Sequence, residues 1–449
     1  MRLSAVGLAA LLLLAACSSA TSSNDPEAAD QATDELDPLR GRLGEVFLME
    51  HSVASVVPHV VSEIRGSQPG GIVFWNMNHA SGAELRKVID TYSRTSQSAH
   101  GRAMLFSTDY EGGALSTTTS FSSVPGIQRF TVGMTPLAHP RWLGVAYRKD
   151  KELGRELAHL HGEIIAREMR SVGLNYPLGT VSDLAFALFS NRGTDQDEGI
   201  ASDLMTQVVD GSAQVGGVIF VTKHFPGLGQ TRGDTHDQIV VSPVTDAPTA
   251  DRHLAPFKAV IDHMNGLGDK SLRMSILCSH AEFPVFDSTT NTTVSRPILQ
   301  GLLRERLGFK GLAVSDAMWM GPYGAMGVGQ LVRLYLKSFL AGMDLLMIPG
   351  ARFDDALAFF RRAYDDKLSE AERSGLVQDI GKPWAEILPA FKERLKESQG
   401  RMDRVRAGLP FAHEMMDGEA AVPSASTESQ RARYEAILQQ TDARWRTLH

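Results

Sequence analysis

Gly217-Val218-Ile219-Phe220-Val221-Thr222-Lys223-His224-Phe225-Pro226-Gly227 reads as a strand that ends in chemistry. Residues 217–221 form an apolar run without polar alternation, which suits a strand covered on both faces, as in a parallel sheet. A lysine and a histidine follow, and a Pro-Gly pair then forces a turn. The pattern recurs on both sides. Upstream, Ala103-Met104-Leu105-Phe106-Ser107 leads into Asp109-Tyr110-Glu111-Gly112-Gly113. Downstream, Met274-Ser275-Ile276-Leu277-Cys278 leads into Ser279-His280, and Gly311-Leu312-Ala313-Val314-Ser315 leads into Asp316. Other apolar runs, at 71–75, 172–178 and 343–348, alternate with amphipathic stretches at 150–171 and 297–307. About seven such strand-helix repeats predict an α/β fold. In a (β/α)8 TIM-type barrel the carboxyl ends of all strands converge on one face, so polar residues from separate strands meet there. A doubly wound sheet would concentrate them at fewer switch points, so the barrel is the expectation.

The ends of the chain read differently. Arg2 precedes an uncharged apolar run, residues 3–16, with the proportions of a signal-peptide core. Leu14-Ala15-Ala16-Cys17 resembles the bacterial lipobox, which predicts a signal peptide over 1–17 and a lipid on Cys17. Residues 18–38, rich in Ser, Ala, Thr, Asp and Glu, suit a flexible tether. The expected location is therefore the cell envelope, lipid-anchored to a membrane; Ser18 after the cysteine favours the outer membrane where the cell has one. If Cys17 is lipidated, only Cys278 remains, inside an apolar run as a buried thiol. The barrel is expected over 39–365 as a single catalytic domain. Residues 366–449, charged and helix-prone, form a C-terminal helical extension, with a loop at 423–429 before a last polar helix at 430–448. A net charge of −7 leaves no basic footprint, so nucleic acid is not an expected partner.

Several residues are candidates for chemistry. Asp316, beside apolar residues at a strand end, suits a nucleophile or a cap for the next helix, and spacing leaves both open. Lys223 and His224 can hold hydroxyls or an anion, or Lys223 can serve a structural ion pair. Asp234 and His236 are two apart in a Gly-rich loop. In extended backbone their side chains share a face, so the carboxylate would orient the imidazole and favour its charged form; the alternative is a surface Asp-x-His. The Gly-rich loop lacks the Gly-Lys-Ser/Thr ending of a phosphate loop. His224, Asp234, His236 and His280 are residue types that ligate metals, but no His-Glu-x-x-His or cysteine cluster accompanies them, so no metal and no cofactor is expected.

Taken together, these motifs resemble glycoside hydrolase family 3, in its β-N-acetylglucosaminidase branch. Lys223-His224-Phe225-Pro226-Gly227 is followed by Asp234-x-His236 at the family's spacing, eleven residues after the lysine. Asp109-x-Glu111-Gly112-Gly113 matches the early sugar-binding loop, and Phe121-Ser122-Ser123-Val124-Pro125 the segment after it. Arg192, 31 residues before Lys223, stands where the family has a sugar-binding arginine. The segment from Gly301 to Asp316 is close to the nucleophile segment, and Ala341-Gly342-Met343-Asp344 follows. The likeness covers residues 42–350.

The resemblance implies a retaining exo-glycosidase acting on terminal β-N-acetylglucosamine in peptidoglycan fragments or related glycans. It implies Asp316 as nucleophile, His236 as acid/base with Asp234 as its partner, and Asp109, Arg192, Lys223 and His224 as holders of the terminal sugar. The chain departs from the family in places. Ala114-Leu115-Ser116-Thr117 replaces a segment with two arginines, and Ala317 stands where a second Asp is usual. Asn175-Tyr176-Pro177-Leu178-Gly179-Thr180 replaces Asn-Phe-Ala-Pro-Val. The departures bear on sugar identity, so a β-glucosidase, a β-xylosidase and a non-catalytic glycan-binding lipoprotein are the alternatives.

Overall fold

The computed structural model describes residues 37–53, 55–75, 81–112, 135, 137–186, 192–268, 273–417 and 425–442. Cys17 with its signal segment, all but the last residues of the tether, and both Ala114-Leu115-Ser116-Thr117 and Phe121–Pro125 lie outside the described residues. From Arg42 onward the chain packs as one unit.

Eleven strands are described: β1 (Phe47–His51), β2 (Gly71–Phe74), β3 (Leu105–Thr108), β4 (Tyr176–Pro177), β5 (Thr180–Val181), β6 (Phe220–Phe225), β7 (Met274–Cys278), the hairpin β8 (Glu282–Phe283) and β9 (Asp287–Asn291), β10 (Leu312–Ser315) and β11 (Leu346–Ile348). Outside the hairpin all pairings are parallel, in two arcs ordered β11-β1-β2-β3-β4 and β10-β7-β6-β5. Two seams join them. At one, β4 passes to β5 through Leu178 and Gly179. Pro177 has no N–H to donate, and Gly179 lies against the Tyr110 backbone, whose carbonyl a Cβ there would meet at 2.1 Å. At the other, Val314 bridges Leu345 in parallel, and the Ser315 N–H donates to the Leu345 carbonyl at 3.0 Å. The strand order thus returns to its start, as the α/β barrel requires, with the ladder divided at two places.

The apolar strand residues were expected to be covered on both faces, and they are. Leu48, Val73, Leu105, Tyr176, Ile219, Val221, Leu277, Leu312, Val314 and Met347 share one core. Met402, Val405 and Leu409 join it from the C-terminal region. Helix Trp384–Arg406 therefore does more than cover the outside. Its apolar end enters the core, and its arginines bind carboxylates at the amino-terminal ends of the strands. Arg394 and Arg401 reach Asp344 at 2.5 and 3.1 Å, beside Arg304 at 2.6 Å. Arg406 pairs with Glu45 at 3.0 Å, just ahead of β1.

Three local expectations change. β6 runs on through Lys223 and His224 to Phe225, with a register shift against β7 between Thr222 and Phe225, so those two residues lie on the strand itself. Residues Pro297–Arg306 wind as a π-helix, the Leu307 N–H reaching Leu302 at 3.0 Å. The last helix is Ala425–Thr441, starting earlier than its polar pattern suggested.

Candidate active site

The strand ends gather the expected residues at the carboxyl face. Lys223, at the end of β6, is buried, and a buried ammonium is tolerated only with paired charge. It finds Asp109 Oδ1 at 2.6 Å and Glu111 Oε1 at 2.7 Å, and donates to the Leu178 carbonyl at 2.5 Å. Arg192 grips Glu111 with two bonds, Nε to Oε2 at 2.8 Å and Nη2 to Oε1 at 2.7 Å, the bidentate geometry that suits a guanidinium. Burial pushes the Glu111 carboxyl up, but Arg192 and Lys223 more than reverse this and hold it well below the ordinary value. Asp109 is raised instead, by burial first and by Glu111 and Asp316, against the pull of Lys223. Lys223 is thus both readings at once, an ion pair and part of the site.

His224 was expected, but the residue that orients it was not. Asp183 Oδ2 accepts from the His224 backbone N–H at 3.0 Å and bonds His224 Nδ1 at 2.7 Å, while Oδ1 accepts from the Leu228 N–H. One buried carboxylate therefore fixes the imidazole and the turn after it. With Nδ1–H donating, Nε2 faces Arg192 Nη2 at 3.5 Å. The Lys223–His224 and Phe225–Pro226 peptides are both cis. Asp183 lies two residues past β5, whereas Asp316 and Asp109 directly follow β10 and β3. The apolar run at 172–178 ends before β5, and β5 is only two residues long, so no strand end marks Asp183 in the sequence.

Asp316 follows β10 and is half-buried. It caps no α-helix among the described residues: the next, Val328–Ala341, begins after Gly327, and Asp316 Oδ1 accepts from the adjacent Ala317 N–H at 2.8 Å. That removes the capping alternative. Burial pushes its carboxyl up, but the His280, His224 and His236 imidazoles and the Ala317 N–H outweigh this and leave it below the usual value. His280 is itself kept low by burial. Its ring is fixed by Thr293 at Nδ1 (2.6 Å) and by the Ala317 carbonyl at Nε2 (3.0 Å), so it braces the backbone beside Asp316.

Asp234 and His236 form the expected pair, by a different backbone. The segment is a turn, not extended: Asp237 and Gln238 N–H groups both donate to the Asp234 carbonyl at 3.2 Å. Asp234 Oδ1 accepts from the His236 backbone N–H at 2.9 Å and bonds His236 Nδ1 at 2.6 Å. The turn brings carboxylate and ring together more tightly than face-sharing along a strand would. Burial raises the Asp234 carboxyl, and the His236 contacts, with Arg192 beyond, reverse this and lower it. The loop is tied to the Asp316 segment by the Gly321 N–H, which donates to the His236 carbonyl at 2.7 Å. Trp319, three residues past Asp316, meets Trp75 from the end of β2 edge-on at 5.8 Å.

The comparisons agree with this geometry. Residues 39–370 match the glycosyl hydrolase family 3 N terminal domain. The β-hexosaminidase of Chromobacterium violaceum is 29% identical over 282 residues, 62% of this chain and 71% of that protein. That of Thioalkalivibrio sulfidiphilus is 28% identical over 329 residues, 71% of this chain and 84% of its own. Two solved structures share the fold. One is a glycoside hydrolase family 3 β-N-acetylglucosaminidase from Paenibacillus sp. str. FPU-7, at TM-score 0.67 and 24% identity, covering 89% of this chain and 68% of that one. The other is NagZ from Neisseria gonorrhoeae in complex with N-trifluoroacetyl-D-glucosamine, at TM-score 0.63 and 20% identity, covering 88% and 97%. With the family match spanning most of its length, and with the strand-end residues assembled as described, this chain belongs to glycosyl hydrolase family 3 and is a glycoside hydrolase.

Proposed function

We propose that the enzyme is a retaining exo-glycosidase that releases terminal β-N-acetylglucosamine from peptidoglycan fragments or related glycans. The observation that carries the reading is the Asp234–His236 pair, bonded to the backbone of the loop that bears Asp316. The names of the relatives support the sugar.

In this reading one Asp316 oxygen, its partner held by the Ala317 N–H, attacks the anomeric carbon. The bond to the leaving oxygen breaks as His236 Nε2 gives that oxygen a proton. The product is a glycosyl-enzyme ester and a neutral His236. A water then gives its proton to His236 and its oxygen to the anomeric carbon, which returns Asp316 as carboxylate. Both steps pass through oxocarbenium-like transition states. Asp234 stabilises the protonated ring and sets which nitrogen faces the sugar. Asp109, Lys223, Arg192 and His224 hold the hydroxyls of the terminal residue, and orientation of this kind supplies several kcal/mol.

Membrane attachment is a second part of the proposal, supported by the Leu14-Ala15-Ala16-Cys17 motif. Among the described residues no helix is long and apolar enough to cross a membrane. Incorporation of labelled fatty acid into the chain, abolished by Cys17→Ala, is the expected result; labelling that survives the change rejects the anchor.

The catalytic reading is tested with nitrophenyl β-glycosides of N-acetylglucosamine, glucose and xylose. Turnover is expected on the N-acetylglucosamine substrate, falling at least about 10³-fold in Asp316→Ala, which corresponds to roughly 4 kcal/mol of barrier. Preference for glucose or xylose rejects the sugar. A folded protein that binds muropeptides and turns over none of the three rejects catalysis.

A further inference from the structure

We propose that His59, Glu63 and Asp354 form a binding site for a divalent transition-metal ion, on the outside of the barrel where the helix after β1 meets the helix after β11. His59 and Glu63 are four apart in helix Pro58–Ser67 and so lie on one face. Asp354 is in the first turn of helix Phe353–Tyr364. Since β1 and β11 are parallel neighbours, the helices that follow them start side by side near the catalytic face. One ligand atom from each of the three residues lies within 4.8 Å of the others. His59 Nε2 is 2.9 Å from Glu63 Oε1 and 3.4 Å from Asp354 Oδ2.

The second observation is Glu63 itself. It is only 7% exposed, and its Oε2 is sealed from solvent with no hydrogen-bond partner. A buried carboxylate oxygen left without a donor is costly. Two facing carboxylates call for a proton or a cation between them. A dication with a neutral imidazole balances both charges. One nitrogen and two oxygen donors suit zinc, cobalt or nickel, whereas magnesium and calcium prefer all-oxygen sets. His59 and Asp354 are exposed, which leaves an entry path and room for water as a further ligand.

The site shares no residue with the catalytic groups, so its test is separate from the test of catalysis. The full chain, stripped with a chelator, is dialysed against zinc and, in a parallel run, against cobalt(II), whose d–d absorption reports donor geometry. One zinc per chain and a metal-dependent rise in Tm are expected. His59→Ala and Asp354→Asn, both at exposed positions, are each expected to weaken zinc binding at least about tenfold and to abolish the Tm rise, with glycoside turnover unchanged. In the metal-free protein Glu63→Gln is expected to keep or raise Tm, because it replaces a carboxyl group whose Oε2 is buried without a donor. Absence of zinc binding overturns the proposal. So does binding that survives both exposed changes, and binding lost instead in His236→Ala would move the metal to the active site.

Discussion

His236 is the residue whose role separates most cleanly from its neighbours. Its Nδ1 is held by Asp234, which leaves Nε2 as the atom that meets a substrate. Protonation matters most when the leaving group is a poor one. His236→Ala is therefore expected to cost about 10²–10⁴-fold on an oligosaccharide, and far less in the first step with a nitrophenol, which departs without a proton. Comparing the two substrates measures this, and equal losses would mean that the histidine only shapes the site. Asp316 has a complementary requirement, since it must be ionised to attack. Burial opposes that form, and the His280, His224 and His236 imidazoles with the Ala317 N–H outweigh it and hold the carboxyl below the usual value.

At the scale of elements, the site depends on how two loops are tied. The Gly321 N–H that bonds the His236 carbonyl belongs to a residue at φ +52°, where a Cβ would lie 3.3 Å from the Thr235 carbonyl. A side chain there meets both the left-handed backbone cost, about 1 kcal/mol, and the neighbouring loop. Gly321→Ala is expected to lower kcat about tenfold by displacing His236, with KM nearly unchanged because the residues proposed to hold the sugar, Asp109 after β3 and Lys223 and His224 on β6, lie elsewhere. Steady-state kinetics decide it: a rise in KM with kcat intact would contradict the positioning role. The π-helix at Pro297–Arg306 has no comparable link to the chemistry; it ends where the chain turns into β10.

For the whole molecule, the C-terminal region is part of the fold's charge balance. Burial drives the Glu45 carboxyl up, and Arg406, Arg42 and Arg102 together bring it down to about 2 from the usual 4.5. A depressed carboxylate contributes stability that is complete above its unfolded value and is lost as pH falls through its folded value. Glu45→Gln leaves Arg406 buried without its counter-charge, and is expected to cost about 3 kcal/mol at neutral pH. Because wild type loses the ion pair between about pH 4.5 and 2, the gap between wild type and variant narrows in acid. Urea unfolding at neutral pH and at about pH 3 checks this, and a gap independent of pH would remove the charge from the explanation.

The sequence by itself determined the class of fold and the family, and it marked most of the polar residues that gather at the strand ends. Apolar runs such as 311–315 suit strands covered on both sides, and polar residues at several strand ends meet where those ends converge. The linear order of Lys223, Asp234, His236 and Asp316 was enough to mark the family. Only the tertiary structure decided three things, because each joins residues far apart in the chain. Asp183 orients His224 from 41 residues away, and no local pattern announces that pairing. Asp316 is free of helix capping because the next helix begins well beyond it. Residues 366–449 read only as charged and helix-prone, yet arginines of helix Trp384–Arg406 neutralise Asp344 and Glu45 at the opposite end of the barrel from the site. Periodicity tells which face of an element is apolar; it does not tell which distant charge that element will meet.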